Sequence, residues 1–364
     1  MSLFDNLDEE RFDKYLIYGS SKDFSPLFYK IKDTYSDKLI YIPSLVRCIN
    51  PLKDIFALSS LLKVFKKEKF SIVHTHTSKA GFLGRLAAKF SHTPIIIHSP
   101  HGHVFYGYFN CALSSLIVLI ERFLAKFSDC IITLTEAGKD DHIRYKVEKA
   151  DKFVPIYCGI DLERFLNTEI DSLKLKEKLG IKDEFVVATV SRLEPVKGVE
   201  YFIRAAKLIS DRLRNVKFIV VGDGSLRERL VKLTAKLDLT DKFIFLGHRE
   251  DTNELLQIFD VFVTTALNEG LGRAILEAFA SQVCVVATAV GGVLSIVKSR
   301  ETGILCESKN YSQIAKAVIE LLENKELRNQ LTKKALEDAK VRFSQETMLK
   351  ETFALYDKLI ESKL

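Results

Sequence analysis

The chain has 364 residues, 47% of them hydrophobic and 28% charged, with a formal net charge of +6. That length allows two domains of ordinary size, each with a substantial core. No run of about 18 or more uncharged apolar residues occurs, because Glu121 and Arg122 interrupt ALSSLIVLIERFLAKF, and this excludes a conventional membrane-spanning helix.

The amino-terminal stretch MSLFDNLDEERF is acidic and lacks the basic and apolar regions of a secretory signal, so the protein is expected in the cytoplasm. The segments KYLIYGS, KLIYIP, FSIVHTHT, TPIIIHS and DCIITLTEAG then read as short buried strands separated by helical stretches. Most of the excess positive charge lies in this half, and residues 47–89 carry nine basic residues against two acidic ones. Two accounts stay open: the solvated face of two helices, or a surface that meets anionic lipid or an anionic, lipid-linked substrate. Nucleic acid is not an expected partner, since the basic residues are not interleaved with aromatics.

His74 and His76 alternate along one strand, and His98, His101 and His103 cluster in the next loop. No Cys, Asp or Glu lies close by to complete a ligand set, so no metal is expected. The cysteines at 48, 111, 130, 158, 284 and 306 are not closely paired and read as small core residues. PIYCGIDLERF, where Pro155 and Gly159 interrupt the pattern, reads as a linker.

Beyond residue 180, strands and amphipathic helices alternate: EFVVATVS, VKFIVVG, KFIFLG, FDVFVTTAL and VCVVATA are each followed by a helical stretch. Continuous apolar strands between helices predict parallel sheets covered on both faces. The fold class is therefore α/β, with two doubly wound, Rossmann-like domains facing a crevice. The expected divisions are 1–158, 159–340 and a final helix at 341–364 that turns back toward the first domain. Ligands of such sheets bind beyond the carboxyl ends of the strands.

NEGLGRAILEA sits at one such end and places Glu269 and Glu277 eight positions apart. The unpaired N–H groups at a helix start make Gly270, Leu271, Gly272 and Arg273 a seat for an anion such as phosphate. Glu277 would stand roughly 7 Å further along at about 1.5 Å per residue. One long ligand, a nucleoside diphosphate sugar, has groups in the matching order, with hydroxyls at both ends and a diphosphate between. An ordinary strand-to-helix turn accounts for this stretch equally well when it is taken alone. Other strand ends add to it: SRLEPVKG carries Arg192 and Lys197, two cations suited to a diphosphate, and VGDGS and LGHRED offer backbone close to a ligand.

Those segments, SRLEPVKGVEYFIRAA, VVGDGSLRERL, FLGHRED and NEGLGRAILEAFASQVCVVATAVGG, resemble the nucleotide-sugar domain of retaining glycosyltransferases of the GT-B fold, family 4. HTHTSKAGFLGRLAA and HSPHGHVF are similar to the subgroup that builds bacterial surface polysaccharides and lipid-linked oligosaccharides, so the resemblance covers nearly the whole chain. It implies that Glu269 and the backbone of Gly270 to Gly272 hold the transferred sugar. It also implies that Glu277 binds the ribose, Arg192 and Lys197 the diphosphate, and Gly247, His248 and Arg249 the edge of the base. His101 would reach across the crevice toward the donor sugar. The implied activity is hexosyl transfer with retention, from a nucleotide sugar to a glycan or polyprenyl-diphosphate-linked acceptor. Uridine is favoured over guanosine in the donor, no metal is required, and any contact with the inner face of the membrane is peripheral.

Three departures qualify this. Family members open with a strand and a glycine-rich loop that have no counterpart before Met1, so a central strand of the first sheet is expected to be missing, with strand edges exposed. Cys158 stands where Asn is usual, and Leu294 and Ser295 where Pro and Glu are common. A sugar-nucleotide 2-epimerase, or an inactive donor-binding protein, is the competing reading. A nicotinamide dehydrogenase is disfavoured because no G-x-G-x-x-G follows a first strand.

Overall fold

The computed structural model describes residues 2–21, 26–102, 105 and 110–364. Its strands, in chain order, are β1 (Leu16–Ser20), β2 (Leu39–Val46), β3 (Ile72–His76), β4 (Ile95–Ser99), β5 (Cys130–Thr133) and β6 (Phe153–Pro155) in the first half. β7 (Phe185–Val190), β8 (Val216–Val221), β9 (Phe243–Gly247), β10 (Val261–Thr264), β11 (Cys284–Thr288) and β12 (Ile304–Cys306) follow in the second. Every pairing between these strands is parallel. The second half forms one six-stranded sheet in the order β12-β11-β10-β7-β8-β9.

Parallel order requires helical crossovers, and these bury both faces of the sheet. Val186, Ala188, Phe262, Val285 and Ala287 point into one cluster, and Val187, Phe218, Val220, Val263 and Val286 into the other. Alternate residues of single strands thus feed separate cores, which is why these strands read as continuous apolar runs. At about 1.5–3 kcal/mol for each large apolar side chain fully removed from water, these layers dominate the domain's stability.

The first half is built differently. Its strands form a four-stranded sheet, β3-β4-β5-β6, and a separate pair, β1-β2. The facing edges of β1 and β3 have no strand between them among the described residues. An open slot of about 2380 Å³ runs between them, lined by Leu16 to Ser20 on one side and Ile72 to His76 on the other. The flanking strands are accordingly only part-buried, whereas every residue of β4 is buried.

The Gln345–Lys363 helix closes one face of this half. Leu355 and Tyr356 join Ile95, Ile97, Cys130 and Ile132 in a core cluster, and ion pairs Arg11–Asp357 and Lys363–Asp129 tie down its carboxyl-terminal half. The chain crosses between domains twice, at 158–160 and at 343–345, and the two crossings pair: Ile160 N–H donates to Phe343 O at 3.0 Å and Gln345 N–H to Ile160 O at 3.2 Å. Gly159 makes this approach feasible, since a Cβ there would lie 2.5 Å from Gln345 Cα.

Two expectations need correction. Cys130, Cys284 and Cys306 are buried, but Cys48 and Cys111 are exposed and are not core residues, because both stand beside helix starts at the surface. β6 and β12, three residues each, are strands that the sequence pattern does not reveal, being too short for any periodicity. Hydrogen–deuterium exchange tests the divided sheet. Alternate amides of β1 and β3, unpaired toward the slot, are expected to exchange at least about tenfold faster than those of β4 and β7. Equal protection would show that the slot is closed in solution.

Candidate functional site

The second sheet reverses direction between β7 and β10. From β7 the chain winds outward to β8 and β9, then returns to lay β10, β11 and β12 on the other side. Two loops diverge at such a point and leave a crevice at the carboxyl ends of the strands. Lys197 lies on the loop after β7 and Glu269 on the loop after β10, and their side chains meet, Lys197 Nζ donating to Glu269 Oε2 at 2.5 Å. Both are largely shielded, with side-chain exposures of 17% and 18%, so the pair is screened less than a surface ion pair.

Backbone packing sets this meeting. Gly198 has φ +58°, and a Cβ there would come within 2.3 Å of Thr265 O, so only glycine lets the first loop lie flat on the second. Thr265 Oγ1 donates to Gly198 O at 2.9 Å, and Leu267 N–H donates to Val196 O at 2.8 Å. A third loop, after β11, walls the seat: Gly292 N–H donates to Glu269 O at 2.8 Å, and a Cβ on Gly292 would fall 1.9 Å from Gly270 O. Gly291 and Gly292 are not among the residues the sequence singles out for the site. A doubled glycine after a strand is the signal that points to them.

The Arg273–Ala280 helix starts at this seat, with Gly272 at φ +82° as its cap. Leu271 is buried in the core, so only its backbone faces the crevice. Glu277 sits one turn along with no hydrogen bond to its carboxylate among the described residues. Burial pushes its carboxyl above the usual range, while Arg273 and Arg164 pull it back. A desolvated carboxylate without partners accepts hydrogen bonds strongly, and paired hydroxyls supply them.

The remaining expected residues divide. Arg192 is exposed, with no hydrogen bond to its guanidinium among the described residues. The glycines of VGDGS support its loop: Cβ atoms on Gly222 and Gly224 would lie 2.0 Å from Ser191 O and 2.6 Å from Leu193 O, and Ser225 Oγ donates to Glu194 at 2.7 Å. Gly247, at φ +69°, accepts from Gly222 N–H at 2.7 Å, and His248 is exposed beside it. Arg249 is already engaged. Its Nε donates to Asp251 Oδ1 at 2.7 Å and its Nη2 pairs with the same carboxylate, so the side chain braces its own loop and is less free for a base than its sequence position suggests.

Across the crevice, the loop after β4 brings His101 and Gly102 to this seat. A Cβ on Gly270 would be 3.4 Å from Gly102 Cα, so the two domains touch here backbone to backbone. Between them lies a cavity of about 20 Å³, lined by Gly102, Thr135, Gly138, Glu269, Gly270 and Gly292, room for about one water. The domains also meet where Ala137 N–H donates to Ser295 Oγ at 3.4 Å, so Ser295 serves the interface.

The histidines have separate surroundings. His74 bonds Tyr356 and Ser99, and His76 bonds His101. His98 is fully buried beneath Gly81, its imidazole pushed down to about 2 chiefly by burial, and is a core residue. His103 lies outside the described residues. No group of three or more His, Cys, Asp or Glu placed to hold a metal occurs among the described residues.

Comparison with known proteins follows the same division of the chain. The family described as Glycosyltransferase Family 4 matches residues 18–164, and the family described as Glycosyl transferases group 1 matches residues 171–338. A UDP-Gal:alpha-D-GlcNAc-diphosphoundecaprenol alpha-1,3-galactosyltransferase of Escherichia coli is 35% identical over 329 residues, 89% of this chain and 84% of the relative. The capsular polysaccharide biosynthesis glycosyltransferase CapM of Staphylococcus aureus is 27% identical, covering 90% of this chain and 87% of its own. Among solved structures, Anabaena Alr3699/HepE in complex with UDP superimposes with a TM-score of 0.80 at 22% identity, over 95% of this chain and 100% of that one, which shows the shared fold.

The wall formed by Gly292 gives a direct test. Gly292→Ala drives a methyl into the Gly270 carbonyl and must displace the loop, so affinity for a nucleotide sugar is expected to fall at least about tenfold, or ~1.4 kcal/mol. Calorimetric titration measures this, and parental affinity in the variant would remove Gly292 from the site.

Proposed function

We propose a donor, an acceptor and a mechanism for a chain that belongs to the GT-B glycosyltransferases of family 4, and that accordingly transfers a sugar from a nucleotide donor with retention of anomeric configuration. The donor is a UDP-hexose and the acceptor a polyprenyl-diphosphate-linked saccharide at the inner face of the membrane. The E. coli relative, whose name specifies UDP-Gal and a diphosphoundecaprenol acceptor, supports both choices. No metal takes part in the proposed reaction.

One observation carries the site assignment: Lys197 and Glu269 close on each other at the switch point, with the start of the Arg273–Ala280 helix beside them. A diphosphate replaces Glu269 as the partner of Lys197, and sugar hydroxyls replace Lys197 as partners of Glu269. Glu277 receives the ribose hydroxyls, with Gly247, His248 and Arg249 edging the uracil. As the bond between anomeric carbon and phosphate breaks, negative charge grows on the diphosphate, where Lys197, Arg192 and helix N–H groups stabilise it. The acceptor hydroxyl attacks from the same face and its proton passes to the departing phosphate oxygen, giving glycosylated acceptor and UDP. His101 lies against the sugar side and donates a hydrogen bond there.

The surface of the first domain supports the membrane location. No helix among the described residues is long and apolar enough to cross a membrane. Two helices instead expose apolar side chains: Leu52, Ile55 and Phe56 on Pro51–Glu68, and Leu116, Leu119 and Phe123 on Cys111–Ala125. Lys63, Lys66 and Lys67 are exposed on the first of these. Apolar groups entering an anionic interface with lysines beside the headgroups suit peripheral binding.

Three measurements test this reading. In a thermal-shift screen, UDP-hexoses are expected to stabilise the protein and GDP-sugars not, with stabilisation of about 2.7 kcal/mol at a donor concentration 100 times Kd. Lys197→Ala and Glu277→Ala are each expected to lose most of it, and variants that respond like the parent would overturn the assignment. UDP release should require the polyprenyl-diphosphate acceptor; conversion of the donor to an isomeric UDP-sugar without acceptor would point instead to the epimerase. In co-sedimentation, vesicles containing phosphatidylglycerol should retain the protein at low salt, and Lys63→Glu/Lys66→Glu/Lys67→Glu should abolish retention.

A further inference from the structure

His76 ends β3 at the mouth of the crevice, and its Nδ1 lies 2.8 Å from Nε2 of His101, with the two rings inclined by only 19°. His101 occupies the left-handed region, φ +55°, a costly conformation for a non-glycine residue that persists only where the surroundings fix it. His76 is itself steadied from behind. His74, two residues earlier on the same face of β3, has its ring 4.2 Å away, and it spans Tyr356 Oη at 2.6 Å and Ser99 Oγ at 2.8 Å. Ser99 ends β4 and leads into the loop that carries His101. Thr77 N–H donates to Ser99 O at 3.1 Å, which locks the two strand ends together.

Both residues are solvent-accessible, while desolvation by the surrounding protein, with the neighbouring imidazoles, lowers His76 and desolvation lowers His101, which favours the uncharged form of each. In that form each ring has a single N–H, and their shared bond contains one hydrogen. Two arrangements exist. If His101 Nε2–H donates to His76, His101 keeps a bare Nδ1 and offers the crevice only a lone pair. If His76 Nδ1–H donates to His101 Nε2, the proton of His101 must sit on Nδ1, where it can donate. Phosphate and sugar ring oxygens only accept, so a contact from His101 to either requires the second arrangement, whereas the first could only accept from a sugar hydroxyl.

We propose that His76 is a positioning residue for the transfer reaction: its Nδ1–H hydrogen bond to Nε2 holds His101 in its orientation and in the Nδ1–H tautomer, ready to donate to the nucleotide sugar. This rests on the reading that His101 faces the donor. His74 and Tyr356 extend the support to the carboxyl-terminal helix.

The test uses the 364-residue chain with the proposed UDP-hexose donor, and four variants. His76→Ala is expected to lower kcat/KM for the donor at least about tenfold, the equivalent of one hydrogen bond, or ~1.4 kcal/mol. His76→Asn places an amide N–H near the lost Nδ1 and should recover most of the loss. A role confined to filling space predicts no such preference, so a matched His76→Leu variant that recovers as much as Asn would overturn the proposal. Nitrogen-15 correlation spectra of the histidines give a readout independent of turnover: His101 shows the Nδ1–H tautomer in the parent and in His76→Asn, and a mixture in His76→Ala. An Nε2–H tautomer in the parent would overturn the proposal directly. His101→Ala separates the two levels: parental activity there defeats the underlying reading of His101, whereas impaired His101→Ala beside parental His76→Ala defeats this proposal alone.

Discussion

The contact between Lys197 and Glu269 organises the second domain's working edge. Neither residue is near the other in sequence, and the pair forms because a parallel sheet that reverses its winding must set the loops after β7 and β10 side by side. Opposite charges held largely away from water lose hydration, and each then needs a partner. In this structure each supplies the other's need. The nucleotide sugar proposed here offers exchange without leaving either charge bare, since its diphosphate suits the ammonium and its hydroxyls suit the carboxylate.

The glycines around this pair follow from the same demand. Loops that approach closely enough to bring Lys197 onto Glu269 leave no volume for Cβ atoms at Gly198 or Gly292, where the nearest backbone oxygens would be 2.3 Å and 1.9 Å away. The crowded backbone is therefore the means by which three strand ends become one rigid wall. Rigidity matters because stabilisation of a charge that appears only as the glycosidic bond breaks depends on groups already in place.

How much of this is legible in the sequence depends on the range of the signal. β7, β8, β10 and β11 are buried on both faces and announce themselves as unbroken apolar runs, and the polar residues at their ends single out Lys197, Glu269 and Glu277. The engagement of Arg249 by Asp251 is not visible there, because a side chain's choice between a ligand and a neighbour two residues away is made by local rotamers that periodicity does not encode. Gly292 reads as a helix start, and its role as a wall emerges only from Gly270 lying against it. His76 is silent for a similar reason: its meaning lies in His101, on another strand's loop.

The division of labour between the domains has a geometric consequence. The diphosphate-suited cations and both carboxylates belong to one sheet, while His101 belongs to the other, so the complete constellation exists only while the crevice is closed to the degree seen where Gly102 meets Gly270. Two side chains at that contact would hold the loops apart by their own thickness. The crossing between domains obeys the same economy of space: both interdomain segments run together as a hydrogen-bonded pair, with Gly159 packed on Gln345. A hydrogen-bonded seam at one end and a glycine contact at the other thus join two sheets that each carry part of that constellation.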